Sequence, residues 1–157
     1  QLKPFVIANL SEDAVLDPIV TNYVDVVVLP TYADLKRENA NLADAVAAFA
    51  ESPSDAAFEK ACQAWLDARE PWETSEAFLF GPVADKGLDP NMDSWPLDQD
   101  GIVQLLNSGN YAEMEWSGDY DEESDAIAAA QSLRGYHTLE FLLFRNGAPR
   151  SVAEGEK

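Results

Sequence analysis

The sequence predicts an all-α protein built as a helical bundle, and three observations carry that prediction. Apolar residues recur at spacings of three and four over long stretches, as one face of a helix requires. Helix starts are marked by Ser or Asp with acids close behind, and helix stops by Gly or Pro. No stretch alternates apolar and polar residues as a half-buried strand does, and no Asn-Gly turn stands between two strand-like runs.

Taken in order, residues 1–10 read as an extended arm. Ser11 followed by Glu12 and Asp13 opens a helix, the hydroxyl as cap and the acids against the positive end of its dipole. Val15, Ile19, Tyr23, Val26, Val27, Leu35, Leu42, Val46 and Phe49 extend one apolar stripe to about residue 50. The block from Val24 to Leu29 has strand propensity, but the helical spacing runs through it. The expectation is one long helix over 12–50, kinked or interrupted at Pro30.

Ser52-Pro53-Ser54 breaks the chain, and Ser54 with Asp55 starts a second helix whose apolar face is Phe58, Ala61, Cys62, Trp65 and Leu66. Pro71 should kink it, Trp72 to Phe80 continue it, and Gly81-Pro82 stop it. Residues 82–97, rich in Pro, Gly, Asp and Asn, read as a long loop, and long ordered loops are often functional. Asp98 caps a short helix over about 99–107 that carries Ile102, Leu105 and Leu106. A polar loop through Asn107-Ser108-Gly109-Asn110 and Gly118-Asp119 follows. The last helix is expected from near Ser124 through Ile127, Ala130, Leu133, Tyr136, His137, Glu140 and Phe144, ending at Asn146-Gly147. Residues 1–147 form one domain, and the polar segment 148–157 reads as a linker.

Composition narrows the function classes. The 157 residues suffice for one domain with a real core, and 46% apolar residues argue against disorder. A net charge of −19 repels nucleic acid and anionic lipid and favours cations or basic partners. The one cysteine, Cys62, rules out an internal disulfide or thiolate cluster, and its neighbours Ala61, Ala64 and Trp65 suit a buried structural thiol. No apolar run reaches the roughly 20 residues that cross a bilayer. The chain opens on Gln1-Leu2-Lys3-Pro4 with no visible signal peptide, as a processed or a trimmed start would.

The chemistry concentrates in Gly135-Tyr136-His137-Thr138-Leu139-Glu140, which holds the only histidine. Three residues apart on a helix, His137 and Glu140 share a face, and an imidazole with a carboxylate suits a divalent metal or a hydrogen-bonded pair. The end of the second helix echoes it: Trp72 to Phe80 and Tyr136 to Phe144 match at four of nine positions. This alignment sets Glu73 against His137 and Glu76 against Glu140. Facing one another in a bundle, the four would offer three carboxylates and one imidazole, a set that favours iron, manganese or zinc. The structural alternative is a network in which Arg134 neutralises a carboxylate. No phosphate-binding Gly-rich loop, Gly-x-Ser-x-Gly elbow or two-histidine zincin helix is present in the sequence.

These residues also carry a resemblance. Gly135-x-His137-x-x-Glu140 followed by Phe-Leu-Leu-Phe resembles the Gly-x-His-x-x-Glu signature of imelysin-like proteins. Similarity extends to Trp72-Glu73-x-x-Glu76-Ala-Phe-Leu-Phe-Gly81-Pro82-Val83, to Asp93-x-Trp95-Pro96-Leu97-Asp98, and to Ile102 with Leu105-Leu106. The resemblance implies a bacterial envelope protein, periplasmic or anchored by lipid, with a fold of two helical halves of which this would be the N-terminal one. It implies iron acquisition, with a divalent or ferric ion, iron or zinc first, as cofactor. Some members are named insulin-cleaving peptidases, so a metallopeptidase with Glu140 as base is the alternative. A non-catalytic binding module with a structural His-Glu pair is the further one. The family motif maps onto His137 and Glu140; Glu73 and Glu76 rest on the internal match. Members are usually much longer, which predicts a C-terminal half, as a separate chain or further segment, packing on apolar surface left open here.

Overall fold

The computed structural model describes residues 13–112 and 125–152. The expected arm over 1–10, the Ser11 and Glu12 helix start, the Gly118-Asp119 loop and the segment after Val152 lie outside them. Apart from one short hairpin, the regular secondary structure of the described residues is helical.

Helix α1 (Asp13–Tyr23) passes through a π-helical turn (Val24–Val28) into α2 (Leu29–Glu51). The interruption expected at Pro30 therefore falls just before it. Pro30 has no N–H with which to continue an α ladder, and the Leu29 N–H reaches back to the Val24 carbonyl instead. Ser54 starts α3 (Asp55–Ser75) by accepting the Ala57 N–H at 3.2 Å. The helix runs through Pro71, tightens into a 3₁₀ turn at Glu76–Phe78 and is followed by Gly81 at φ 64°.

Helices α2 and α3 pack as an antiparallel pair around Leu35, Leu42, Phe58, Ala61, Cys62, Trp65, Ala68 and Trp72. Ring contacts close both ends of the pair, Phe49 on Phe58 at 5.2 Å and Tyr32 on Phe78 at 5.5 Å. Cys62 is buried, with its thiol toward the Leu143 carbonyl at 3.8 Å, and burial pushes its pKa up. A structural thiol is what this environment makes it.

Four sequence expectations need correction beyond this pair. The expected loop 82–97 contains two short helices, α4 (Pro82–Asp85) and α5 (Leu88–Asp93), and then a cis Trp95-Pro96 bond. Neither helix is long enough to display an apolar period, so only the punctuating residues showed in the sequence. Asp98 does cap α6 (Gln99–Ser108), accepting the Gly101 N–H at 2.9 Å.

The expected last helix is broken in two, α7 (Asp125–Gln131) and α8 (Tyr136–Leu143). The break serves two contacts that an unbroken helix would forbid. The Ser132 carbonyl accepts the Asp98 N–H at 3.2 Å, and Gly135, at φ 95°, passes the Met92 carbonyl so closely that a Cβ there would lie 2.5 Å from its oxygen.

Asn146-Gly147 does not end the helix, which stops at Leu143; it turns a hairpin between β1 (Phe144–Arg145) and β2 (Ala148–Pro149). Both turn residues have positive φ, 54° and 75°, as a type I′ turn demands. Two residues per strand are too few to alternate visibly. The described part of the segment read as a linker, 148–152, consequently folds back. Arg150 donates to the Phe144 and Phe141 carbonyls at 3.2 and 3.0 Å, and the Val152 N–H reaches Asp55 at 3.2 Å. Since α8 has no basic residue in its last turn, Arg150 supplies the cation that its C-terminal carbonyls favour.

Gly135→Ala should lower unfolding free energy by about 3 kcal/mol, since a disfavoured φ and a backbone clash add. Gly147→Ala meets open space and should cost only about 1 kcal/mol. Urea denaturation of the two variants checks the contrast, and equal losses would refute the close-approach account.

Candidate metal centre

The Gly135 contact brings the start of α8 against the end of α5, and this sets His137 beside Asp93. His137 Nε2 stands 3.2 Å from Asp93 Oδ1, while His137 Nδ1 stands 3.4 Å from Glu140 Oε2 on its own helix. Asp93 is fixed from its other oxygen. Its Oδ2 accepts the Trp72 indole N–H at 2.8 Å and a guanidinium N–H of Arg69 at 2.5 Å. Both donors come from α3, one turn apart. The carboxylate has only 6% of its side chain exposed, and Oδ1 is buried without an aligned hydrogen-bond donor despite its closeness to Nε2. Glu140, by contrast, is 52% exposed.

The network continues under the site. Arg69 also pairs with Glu73 at 2.5 Å and lies over the Tyr136 ring at 5.4 Å. The buried Tyr136 hydroxyl faces two acceptors, Asn39 Oδ1 at 2.9 Å and the Ala68 carbonyl at 3.2 Å. Trp65 donates its indole N–H to the Tyr136 carbonyl at 3.1 Å. Asp89, one turn before Asp93, has its pKa raised by burial first and by the Asp93 charge second. Negative charge is thus already crowded at this end of α5.

The four residues proposed as one ligand set do not converge. His137 and Glu140 are brought together, but Glu73 is held by Arg69 and Glu76 sits exposed on the 3₁₀ turn. Among the described residues, no three His, Cys, Asp or Glu side chains share a place where one ion could be held. The two nitrogens of an imidazole diverge, so Asp93 and Glu140 lie on different sides of the His137 ring. Arg134, suggested as the neutralising cation, donates to Asn91, and Arg69 is the guanidinium on Asp93. Sequence reasoning missed Asp93 as a site residue because it lies in the segment read as loop. Its place in the Asp93-x-Trp95-Pro96 block was the signal available.

The donors present fit part of a metal site. Two atoms on one ion with bonds of about 2.1 Å stand roughly 3.0–3.4 Å apart. Both nitrogen–carboxylate pairs meet that span, but only the Glu140 side is open. It borders a groove of about 650 Å³ lined in part by Trp95, Leu97, Phe141, Phe144 and Arg145. Trp95, 72% exposed, packs its ring 4.9 Å from the imidazole.

Fold and site together define an all-helical protein with a histidine set between two carboxylates at the edge of a groove. The chain belongs to the imelysin family, whose pattern matches residues 28–156. An imelysin peptidase from Bacteroides ovatus, known from its crystal structure, is 60% identical with a TM-score of 0.85, over 92% of this chain and 40% of that one. A crystallised protein from Parabacteroides distasonis, described as an iron-regulated protein A precursor, is 42% identical with a TM-score of 0.78, over 87% and 36%. Iron-regulated protein A of Synechococcus elongatus is 32% identical over 130 residues, 83% of this chain and 32% of its own length. The chain thus spans about a third of the curated relative it matches.

Tyr136 provides a pH test of the packing beneath the site. Burial raises its pKa from 10.0 to about 12, so the folded state keeps a proton that the unfolded chain releases earlier. The stability this gives is complete below pH about 10 and should fall as pH rises toward about 12. Tyr136→Phe should flatten that fall while costing about 1–2 kcal/mol at neutral pH through lost hydrogen bonds. Melting temperatures across the alkaline range check both, and an unchanged alkaline slope would contradict the first.

Proposed function

We propose that this chain is the metal-holding part of an iron-linked imelysin of the cell envelope. In this reading His137 Nδ1 and Glu140 are its ligands, facing the groove. The observation that carries it is the paired environment of His137: a closed, anchored carboxylate on one ring nitrogen and an open one on the other. Hard oxygen with one nitrogen suits iron, manganese or zinc, and the acidic chain attracts cations. Two protein donors leave most of an ion's coordination to other groups. Envelope placement is supported by the family and by the Parabacteroides relative, whose description is that of a precursor. No helix among the described residues is long and apolar enough to cross a membrane.

The proposed partner is the helical remainder that imelysin-length relatives carry. The first helix, its π turn and the first residue of α2 leave Val15, Leu16, Ile19, Val20, Val26 and Leu29 exposed along one chain segment. Such a continuous apolar surface is uncommon on a monomer and suits a second helical layer. Light scattering after size exclusion should show this chain associated with itself or with that remainder. A monodisperse 17.2 kDa species in the absence of detergent would refute the seam.

A second reading, peptide hydrolysis, is favoured by the groove beside Glu140 and by the Bacteroides ovatus relative, described as a peptidase. A divalent ion would supply Lewis acidity there, and Glu140 would accept a proton from the attacking water. Calorimetric titration with zinc and with ferrous iron separates the readings. His137→Ala and Glu140→Ala should each weaken binding at least about tenfold, and Glu76→Gln should leave it unchanged. Equal affinity in all variants refutes the metal site. Binding that persists without cleavage of any unfolded protein leaves the first reading alone.

A further inference from the structure

We propose that Asp93 is a positioning residue: it holds the His137 ring through Nε2 and thereby presents Nδ1 to the groove and Glu140. The inference rests on the metal reading above for its purpose, but its geometry stands without a metal.

Three observations carry it. Asp93 is nine-tenths buried, and its Oδ2 is committed to two donors on one face of α3, Trp72 and Arg69. A carboxylate held at one oxygen has little freedom to turn, so Oδ1 is left 3.2 Å from Nε2, buried and without an aligned donor. The approach itself depends on Gly135, because any Cβ there would strike the Met92 carbonyl, one residue before Asp93. The glycine and histidine of the Gly-x-His-x-x-Glu block therefore act on one contact. The glycine admits α5, and α5 delivers the carboxylate.

Competition between the two carboxylates decides the direction. Glu140 is half in water, which replaces its hydrogen bond to Nδ1 at little cost. Asp93 Oδ1 is buried and without an aligned donor, so a small turn of the ring would let a proton on Nε2 satisfy it, whereas a proton on Nδ1 cannot reach it. The same logic orients metal-binding histidines elsewhere, where the nitrogen not on the metal donates to a carboxylate. Trp95 on the ring face limits the remaining freedom of rotation.

The test reads the tautomer first. Long-range proton–nitrogen NMR of the metal-free protein, at a pH where the imidazole is neutral, should show the proton on Nε2. Asp93→Asn should shift the population toward Nδ1, with the amide fingerprint confirming that the variant is folded. A wild-type proton predominantly on Nδ1 overturns the proposal and needs no variant. Zinc titration then reads the consequence, with Asp93→Asn weakening binding about 10- to 100-fold. Abolished binding in Asp93→Asn with intact binding in Glu140→Gln would put the ion on the Asp93 side and overturn the assignment. The expected tautomer together with no metal binding in wild type would uphold the positioning role and refute the metal reading.

Discussion

The close passage of Gly135 over the Met92 carbonyl is the contact on which the site depends. It requires a residue without Cβ and a φ of 95°, and it stops α7 and α8 from forming one helix. Breaking that helix sacrifices regular backbone hydrogen bonds, and the fold recovers one of them by pairing Ser132 with Asp98 at 3.2 Å. What the break provides is reach. A helix axis redirected at Gly135 lets His137 meet a carboxylate from a different part of the chain. Around this junction the larger side chains, Trp65, Trp72, Tyr136 and Phe144, pack ring against ring and leave little slack.

Much of this architecture is readable in the sequence, and the unread parts share a cause. The α2–α3 pair was evident because Phe58, Ala61, Cys62 and Trp65 repeat over several turns and Ser54 marks the start. Helices α4 and α5 and the hairpin were not, because each is shorter than the period that would reveal it. The role of Arg150 was hidden for a different reason: it caps α8 from across a turn, and no local pattern announces a cap supplied by the returning chain. At the site, His137 and Glu140 lie three residues apart and could be paired on paper. Asp93 comes from more than forty residues upstream, so its contact with His137 is a product of tertiary structure alone.

Electrostatics distinguishes the two sides of His137. Asp93 is buried yet balanced, because Arg69 supplies a full positive charge and Trp72 a further donor. A buried carboxylate with such partners is a fixed feature of the fold, not a group waiting for an ion. Glu140 has no such compensation from Arg69, and it stands half exposed beside an apolar groove in a chain of net charge −19. A cation arriving there would relieve charge at Glu140, whereas one arriving at Asp93 would have to displace an existing ion pair. That asymmetry leaves the groove side as the more open approach to the imidazole.

The internal echo between Trp72 to Phe80 and Tyr136 to Phe144 acquires a physical meaning different from a shared ligand set. The aligned aromatic residues Trp72 and Tyr136 do meet, their rings 5.9 Å apart in the core. The aligned polar residues Glu73 and His137 do not pair; they lie at opposite ends of a chain of contacts through Arg69 and Asp93. Similar segments therefore pack against each other through their apolar positions and differ in what their polar positions do. On α3 the glutamate helps hold Arg69, which holds Asp93. On α8 the residue at the same place is the imidazole that Asp93 faces. One helix supplies the support and the other the group supported.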